Sequence, residues 1–522
     1  MSEDSFAESL AHGQLLAQQG DFTAAIDVFR RLLTLPRSEP LVDLELGYAL
    51  KDSGLYDEAG QVLNDALTRY PGHMRLLNAY GLLMSDIGRH DAALDAFDKA
   101  TLVAADHPGV RSNRARTLLA LGRAAEAIEE ARAALSLDQQ LAPALQTLIT
   151  ALFRNGKADE ALALCNRIVC TANHSSSWMV LKATALEELG RFPEALPVWR
   201  AQAEFSGSPK AWFNAAIAAL RLGDYRLGWT FWAHRPESKT LRIRDVEQWR
   251  GDRSIAGKSL FVYPEQGFGD CIQFIRYLPR LIELKPGFVT LGLPAPLEEI
   301  YQGIPGVRLV RQGESIEKPD CQLSLASLPS ALLHATGDAS IPVSLKPPNL
   351  DQSKILSIEQ ELGPRDRLRI GLAVSGNADH QNDLNRSIPL KLFASLAALD
   401  IDLILLQIAL RESDRAPARA MQIRSLREPL RTFSDTAALI SVCDLVISVD
   451  SAPAHLAASL GAATMILLPH VADWRWGIES TNSVWYPSAS LRRQDAGRDW
   501  TSVVSTLVLE MSERVPRHRP AA

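Results

Sequence analysis

A glycine returns at one fixed interval, at Gly20, Gly54, Gly88, Gly122, Gly156 and Gly190, and Gly223 follows one residue early. An alanine keeps step one turn or so beyond each of the first six, at Ala25, Ala59, Ala93, Ala127, Ala161 and Ala195. The glycines suit a turn that ends one helix, because glycine takes the positive φ such an ending needs. The alanines mark where the next helix touches its neighbour and only a small side chain fits. Phe29, Leu63 and Phe97 recur one further turn along the same face. A period of about 34 residues identifies a stack of helix–turn–helix units. Pro36 and Pro71 close the early units.

At 522 residues the chain exceeds what one hydrophobic core organises, roughly 250 to 300 residues, so at least two domains are expected. An apolar share of 47% with 22% charged residues is that of a globular protein, and no apolar run reaches the roughly 18 residues of a membrane span. Acidic residues in Met1-Ser2-Glu3-Asp4, where a secretory signal carries base, argue against export. Cys165, Cys170, Cys271, Cys321 and Cys443 are scattered and form no C-x-x-C pair, which suits a reducing cytoplasm and excludes a zinc knuckle. A net charge of −6 gives no general reason to bind nucleic acid or an acidic membrane.

The periodic part extends to about residue 235. Its last unit is dense in aromatics, with Trp212, Phe213, Tyr225, Trp229, Phe231 and Trp232. Large rings bury much area, so residues 210 to 250 read as a packed joint to the next domain.

Beyond residue 255 the period vanishes and short β-rich runs alternate with amphipathic stretches, the pattern of a parallel sheet covered by helices. Expected strands are Ser259–Tyr263, Val289–Leu293, Val307–Val310, Cys321–Leu325, Arg369–Ser375, Ile401–Gln407, Asp444–Val449 and Ala463–Leu468. Helices are expected at Cys271–Glu283, Leu390–Leu399, Asp435–Cys443, Ser451–Leu460 and Trp500–Met511. The Pro-rich run from Ile341 to Pro348 reads as a linker. Two nucleotide-fold-like lobes follow, with a ligand expected in the cleft at the carboxyl ends of the strands.

Three clusters lie at those strand ends. In the first, Gly267 and Gly269 permit close backbone approach and Asp270 opens a helix, either as its N-cap or as a general base. The second is the long polar loop from Ser375 through Gly376, Asn377 and His380 to Arg386 and Pro389. Loops of this kind carry function, and Arg386 can grip a phosphate bidentately. The third is Asp450-Ser451-Ala452-Pro453-Ala454-His455, where a helix start follows a buried strand and offers a phosphate seat within reach of His455.

The periodic units resemble tetratricopeptide repeats, whose concave surface typically holds an extended segment of a partner. The ladder of asparagines that sugar-transferring relatives carry there is not evident, since only Asn113 and Asn214 share a register. The second half resembles a heptosyltransferase-like glycosyltransferase of the GT-B class, distantly similar to O-linked N-acetylglucosamine transferases. The resemblance rests on Glu265-Gln266-Gly267-Phe268-Gly269-Asp270, Gly376-Asn377 with Arg386-Ser387-Ile388-Pro389, Asp444 to Ser451 with His455-Leu456-Ala457, Pro469, Asp473-Trp474-Arg475-Trp476 and Trp485-Tyr486-Pro487.

The resemblance implies an all-α TPR superhelix followed by an α/β GT-B domain of two Rossmann-like lobes. The divisions are a repeat array at 1–235, an N-terminal lobe with joining segment at 236–350, and a nucleotide-sugar-binding lobe at 351–522. It further implies Asp270 as catalytic base, with Gly267, Gly269, Asn377, Arg386, Gln407, Asp450, Ser451 and His455 as donor contacts. No metal and no resident cofactor are expected, the nucleotide sugar being a co-substrate. Relatives often carry a lysine where Gln381 stands. Either Arg386 substitutes for it, or the donor bears less charge. The N-terminal lobe is also short, so the array is expected to complete the acceptor wall.

The expected activity is an inverting, metal-independent transfer of a sugar to Ser or Thr hydroxyls of a protein held by the array. By family analogy the acceptor is a flagellin or another bacterial surface protein, and the setting is cytoplasmic. Two rival readings are transfer to a glycan or lipid, and a scaffold without catalysis, for which Gln381 is the main argument.

Overall fold

The computed structural model of the protein describes residues 3–35, 39–171, 176–236, 241–311, 314–343, 347, 349–377, 382–408, 410–428 and 430–515. Pro36, Lys346, Pro348, His380 and Gln381 lie outside the described residues. Packing divides the chain into two units, Met1–Leu189 and Gly190–Ala522.

The first unit is built of paired helices, beginning with Glu3–Gln18 and Phe22–Leu33 and continuing with Pro40–Asp52 and Tyr56–Arg69. Each periodic glycine is left-handed, with φ of 83° at Gly20 and Gly54, 78° at Gly88 and Gly122, and 72° at Gly156. Ala25, Ala59, Ala93, Ala127 and Ala161 are wholly buried.

A second glycine series serves the same packing. A methyl group on Gly13 would lie 2.6 Å from the Phe29 ring, on Gly47 2.6 Å from Leu63, and on Gly81 2.7 Å from the Phe97 ring. The helices of those pairs therefore touch backbone to side chain. Caps repeat as well: His73 and His107, one period apart, each accept a backbone N–H through Nδ1, from Leu76 at 3.3 Å and Val110 at 3.2 Å.

The second unit opens with helices Phe192–Ser206, Pro209–Arg221 and Tyr225–Trp232. Gly190 and Gly223, with φ of 71° and 81°, still end helices, and Ala195 is wholly buried. Trp229 and Trp232 are buried against Phe274 and Trp474, and Trp232 donates its indole N–H to the Ala326 carbonyl at 2.9 Å. The last helices of the periodic sequence thus pack as part of the α/β body.

That body holds two parallel sheets. The first contains β1 (Glu247–Gln248), β2 (Ser259–Tyr263), β3 (Phe288–Gly292), β4 (Val307–Val310) and β5 (Cys321–Ser324), in the order β1-β5-β2-β3-β4. The second contains β6 (Leu368–Ala373), β7 (Ile401–Leu405), β8 (Leu445–Val449), β9 (Thr464–Leu468) and β10 (Ala489–Arg493), in the order β10-β9-β8-β6-β7. Every strand pairing is parallel. β6, β8 and β9 are buried along their whole length, as near-continuous apolar strands covered on both faces must be.

The order reverses beside β2 in the first sheet and between β6 and β8 in the second. These switch points leave a crevice at the strand ends. Sequence reasoning misses β1, which is very short, and β10, which ends in paired arginines. It also misses helices Ala295–Tyr301, Leu328–Thr336, Gln352–Leu362 and Glu412–Ala420. The helix expected at 271–283 starts earlier, at Phe268, and is broken: Phe268–Phe274 passes through a 3-10 turn before Leu278–Glu283, where Pro279 occupies a first-turn position. Among the described residues, no helix is long and apolar enough to cross a membrane.

Candidate functional site

Chain leaving β2 reaches Gly267, which caps the helix Phe268–Phe274. Asp270 is therefore not the N-cap. It stands within the first turn and reaches back, its Oδ2 accepting the Gly267 N–H at 3.0 Å. Its Oδ1 accepts from Arg475, a residue 205 positions away beyond β9. Arg475 also bonds Asp473 at 2.8 Å and the Gln273 side chain, and its guanidinium lies 4.5 Å over the Trp474 ring. Burial opposes its charge, but Asp473 and Asp270 outweigh burial and hold it firmly protonated. Asp270 keeps 23% of its side chain exposed, so the carboxylate is fixed yet reachable.

At the end of β8, Ser451 is the extended residue before helix Ala452–Leu460. Its hydroxyl does not cap that helix and lies 3.1 Å from the Ser448 hydroxyl. His455, buried one turn on, meets the Tyr486 hydroxyl through Nδ1 at 2.9 Å and has Nε2 3.8 Å from Asp450. Gly269 carries no side chain because of this ring: a Cβ there would lie 2.9 Å from His455 Cδ2. Its smallness thus has a packing cause between the two lobes.

Charge states follow from burial. Burial, then the charge of Arg475, pushes His455 down to about 3, so its imidazole is neutral. Burial and the neighbouring Asp473 push Asp450 upward, toward its protonated form. Burial also acts on Asp473, but Arg475 outweighs it and holds that carboxylate ionised.

Arg386 donates to the Asp450 carbonyl at 3.0 Å and lies over Gly376, where a Cβ would collide with its Nη2. It therefore ties the second loop to the third cluster. Gly267, Gly269, Asp270, Arg386, Asp450, Ser451 and His455 thus belong to one linked neighbourhood. Gln407 does not join it through its amide: Oε1 accepts the Val374 N–H at 2.8 Å and Nε2 donates to the Ser375 hydroxyl at 2.6 Å. It clamps the ends of neighbouring strands. Asn377 is exposed.

Sequence reasoning gives no role to Arg475, Asp473, Tyr486 or Arg276. Arg276 is buried, donates to the Trp485 carbonyl at 2.7 Å and stacks 4.6 Å over the Tyr486 ring. The signal that could have found them lies in the charged and aromatic runs Asp473–Trp476 and Trp485–Tyr486. Glu265, in the first motif, is held in a buried pair with Arg235 and accepts from the Ser324 hydroxyl at 2.5 Å. Among the described residues, no three His, Cys, Asp or Glu side chains converge as metal ligands would. A hollow of about 570 Å³ lies at the other end of the second sheet, by Ile401, Asp402 and Arg424 at the start of β7, remote from these strand ends.

The family pattern described as tetratricopeptide repeat matches residues 10–74, 80–144 and 180–226, and that of glycosyltransferase family 9 (heptosyltransferase) matches 426–468. The chain carries tetratricopeptide repeats and, near its C-terminus, a segment similar to glycosyltransferase family 9. That segment spans β8, β9, Asp450, Ser451 and His455, while Asp270, Arg386 and Arg475 fall outside it.

Protein FlbA of Caulobacter vibrioides is 27% identical over 307 residues, 57% of this chain and 51% of FlbA. The TPR repeat-containing thioredoxin TTL4 of Arabidopsis thaliana is 37% identical over 81 residues, 16% of this chain and 12% of that protein. The chain thus spans about half the length of the first relative and far less of the second. Among solved structures, a tetratricopeptide repeat protein from Parabacteroides merdae is 14% identical, covering 44% of this chain and 91% of its own, with a TM-score of 0.38. A thermophilic TPR protein of Thermus thermophilus is 21% identical, covering 35% and 98%, with a TM-score of 0.31.

Proposed function

We propose that the second unit transfers a sugar from a nucleotide donor to a Ser or Thr hydroxyl of a polypeptide, with inversion and without a metal. The observation that carries this reading is the meeting of Asp270, from the first lobe, with the Asp450–His455 strand end of the second. As the acceptor oxygen bonds to the anomeric carbon, Asp270 takes its proton. The bond from that carbon to the donor phosphate breaks, and its electron pair leaves with the phosphate.

The start of helix Ala452–Leu460 offers its dipole to that departing charge, and Arg386 offers a guanidinium nearby. His455 is neutral and its Nδ1 is engaged by Tyr486, so Nε2 is the nitrogen available to the donor. Arg475 holds the Asp270 carboxylate in place. Repeats in the first unit suit the capture of a polypeptide acceptor, and by family resemblance that acceptor is a flagellin or another surface protein. The scattered thiols fit a cytoplasmic setting.

The test is a panel of nucleotide sugars with candidate acceptors co-expressed, read as intact mass. A sugar-sized increment is expected with the native protein, and Asp270→Asn should lower the rate by about 100-fold or more. Undiminished transfer in Asp270→Asn removes that residue from the base role. No nucleotide-sugar binding by calorimetry removes the donor reading altogether.

A further inference from the structure

The ring of His455 is held in one orientation. Its centroid lies 5.2 Å from that of Trp476 at a tilt of 34°, and Nδ1 meets the Tyr486 hydroxyl at 2.9 Å. Tyr486 is itself wholly buried. The Ser483 hydroxyl accepts its backbone N–H at 3.2 Å, and Arg276 of the first lobe stacks 4.6 Å over its ring. Arg276 is held in turn by the carbonyls of Gln273 and Trp485, at 2.8 and 2.7 Å.

The donors and acceptors present decide where the imidazole proton sits. A buried hydroxyl needs an acceptor for its own proton. Among the described residues, the groups that hydrogen-bond the Tyr486 hydroxyl are His455 Nδ1 and the Arg276 guanidinium. A guanidinium has no lone pair to accept with. The Tyr486 O–H therefore donates to Nδ1, and the single hydrogen of the neutral ring stands on Nε2.

That nitrogen faces the site. No hydrogen bond to Nε2 is formed among the described residues, Asp450 Oδ1 lying beyond hydrogen-bond reach at 3.8 Å. A Cβ on Gly269 would lie 3.4 Å from it, so this edge of the ring faces the turn that carries Asp270. With a lone pair there, His455 would be a second base beside the acceptor. With a hydrogen there, it donates.

We propose that Tyr486, backed by Arg276, is a positioning residue that keeps His455 in the Nε2–H form, making the imidazole a hydrogen-bond donor to the phosphate of the sugar donor and leaving proton removal to Asp270. The inference rests on the reading of this crevice as a nucleotide-sugar site. The N–H bond stays intact throughout: its hydrogen bonds a phosphate oxygen as charge gathers there, and no proton leaves the ring. Tyr486 and Arg276 act through the ring, not on substrate.

The test is nitrogen NMR on the full chain carrying 15N-labelled histidine, with His455→Gln used to assign the ring. Native protein near pH 7 should show Nδ1 in the lone-pair range and Nε2 in the protonated range, with Nε2 shifting when nucleoside mono- or diphosphates are added. In Tyr486→Phe, which keeps the aromatic ring and removes the hydroxyl, the two nitrogen signals should move toward each other as both hydrogen positions become populated. Kinetics give a second readout: Tyr486→Phe should lower kcat by about tenfold, as loss of one hydrogen bond in the transition state allows, with the acceptor KM unchanged. His455→Gln, whose amide offers an N–H near the place of Nε2, should be about tenfold faster than His455→Ala. Native Nδ1 carrying the hydrogen, or Tyr486→Phe signals identical to native, overturns the lock. An Nε2 signal that no nucleotide moves, or His455→Gln no faster than His455→Ala, overturns the role toward the donor. Should Tyr486→Phe not fold, the native spectrum decides the tautomer by itself. The expected tautomer in a protein that transfers no sugar in the mass assay instead removes the enzymatic reading and leaves the lock as a feature of the fold.

Discussion

At Asp450, burial rather than sequence decides the charge. Its carboxyl is pushed above the ordinary value of about 3.9 because ionising it places a second negative charge beside Asp473 in a poorly solvated site. A folded-state value raised above the unfolded one contributes stability at low pH, and that contribution is lost as pH rises through the raised value. Asparagine has nearly the same shape and no charge to lose. Asp450→Asn should therefore match the native protein near pH 4, become progressively more stable than it as pH rises to about 6, and keep that advantage at pH 8. Urea midpoints for the second unit's transition, taken across that range, read the difference directly. A gap that stays constant, or that favours the native residue at pH 8, means the Asp450 carboxylate is ionised at no cost. His455 behaves in the opposite sense: its depressed value makes the fold lose stability as pH falls below about 6.5.

Within a helix pair, two glycines of the same periodic sequence have opposite jobs. Gly81 faces the Phe97 ring so closely that an added methyl would sit 2.7, 2.8 and 3.0 Å from three ring atoms, and the ring is wholly buried. Gly60 sits inside helix Tyr56–Arg69 with nothing nearer than Leu83 at 3.9 Å. Alanine gains about 0.5 to 1 kcal/mol over glycine in a helix interior. Overpacking costs about 1 to 3 kcal/mol. Gly60→Ala should thus raise the stability of the first unit by about 0.5 to 1 kcal/mol, and Gly81→Ala should lower it by about 1 kcal/mol, both read from urea unfolding.

The same contrast explains what the sequence discloses. Turn glycines and buried alanines are legible because their cause is local and returns with every helix pair. The buried runs of β6, β8 and β9 are legible as unbroken apolar strands. The pairing of Asp270 with Arg475 is not legible, because it joins distant positions that only the packing of two lobes brings together. Pattern alone reads Gly269 as ligand access, whereas its neighbour is the His455 ring. It reads Gln407 as a donor contact, whereas both ends of that amide are used on Val374 and Ser375. In each case a polar or small residue at a strand end has a structural partner that no one-dimensional pattern names.

For the whole molecule, the repeat count and the folding units disagree by more than one repeat, and energetics says which governs. The periodic sequence runs to about residue 235, but Trp229 and Trp232 are each 1% exposed and pack on Phe274 and Trp474 of the α/β body. Removing a buried tryptophan side chain costs about 3 to 5 kcal/mol, so losing both costs roughly 6 to 10 kcal/mol. A domain is held folded by about 5 to 15 kcal/mol, a comparable amount. Arg235 would go with them, and with it a buried ion pair to Glu265, a further penalty. A fragment of residues 190–522 should therefore express as a monodisperse protein with one cooperative melting transition, whereas 236–522 should aggregate or melt without cooperativity. If the shorter fragment melts at the same temperature as the longer one, the aromatic joint contributes little, and the second unit begins where the period ends.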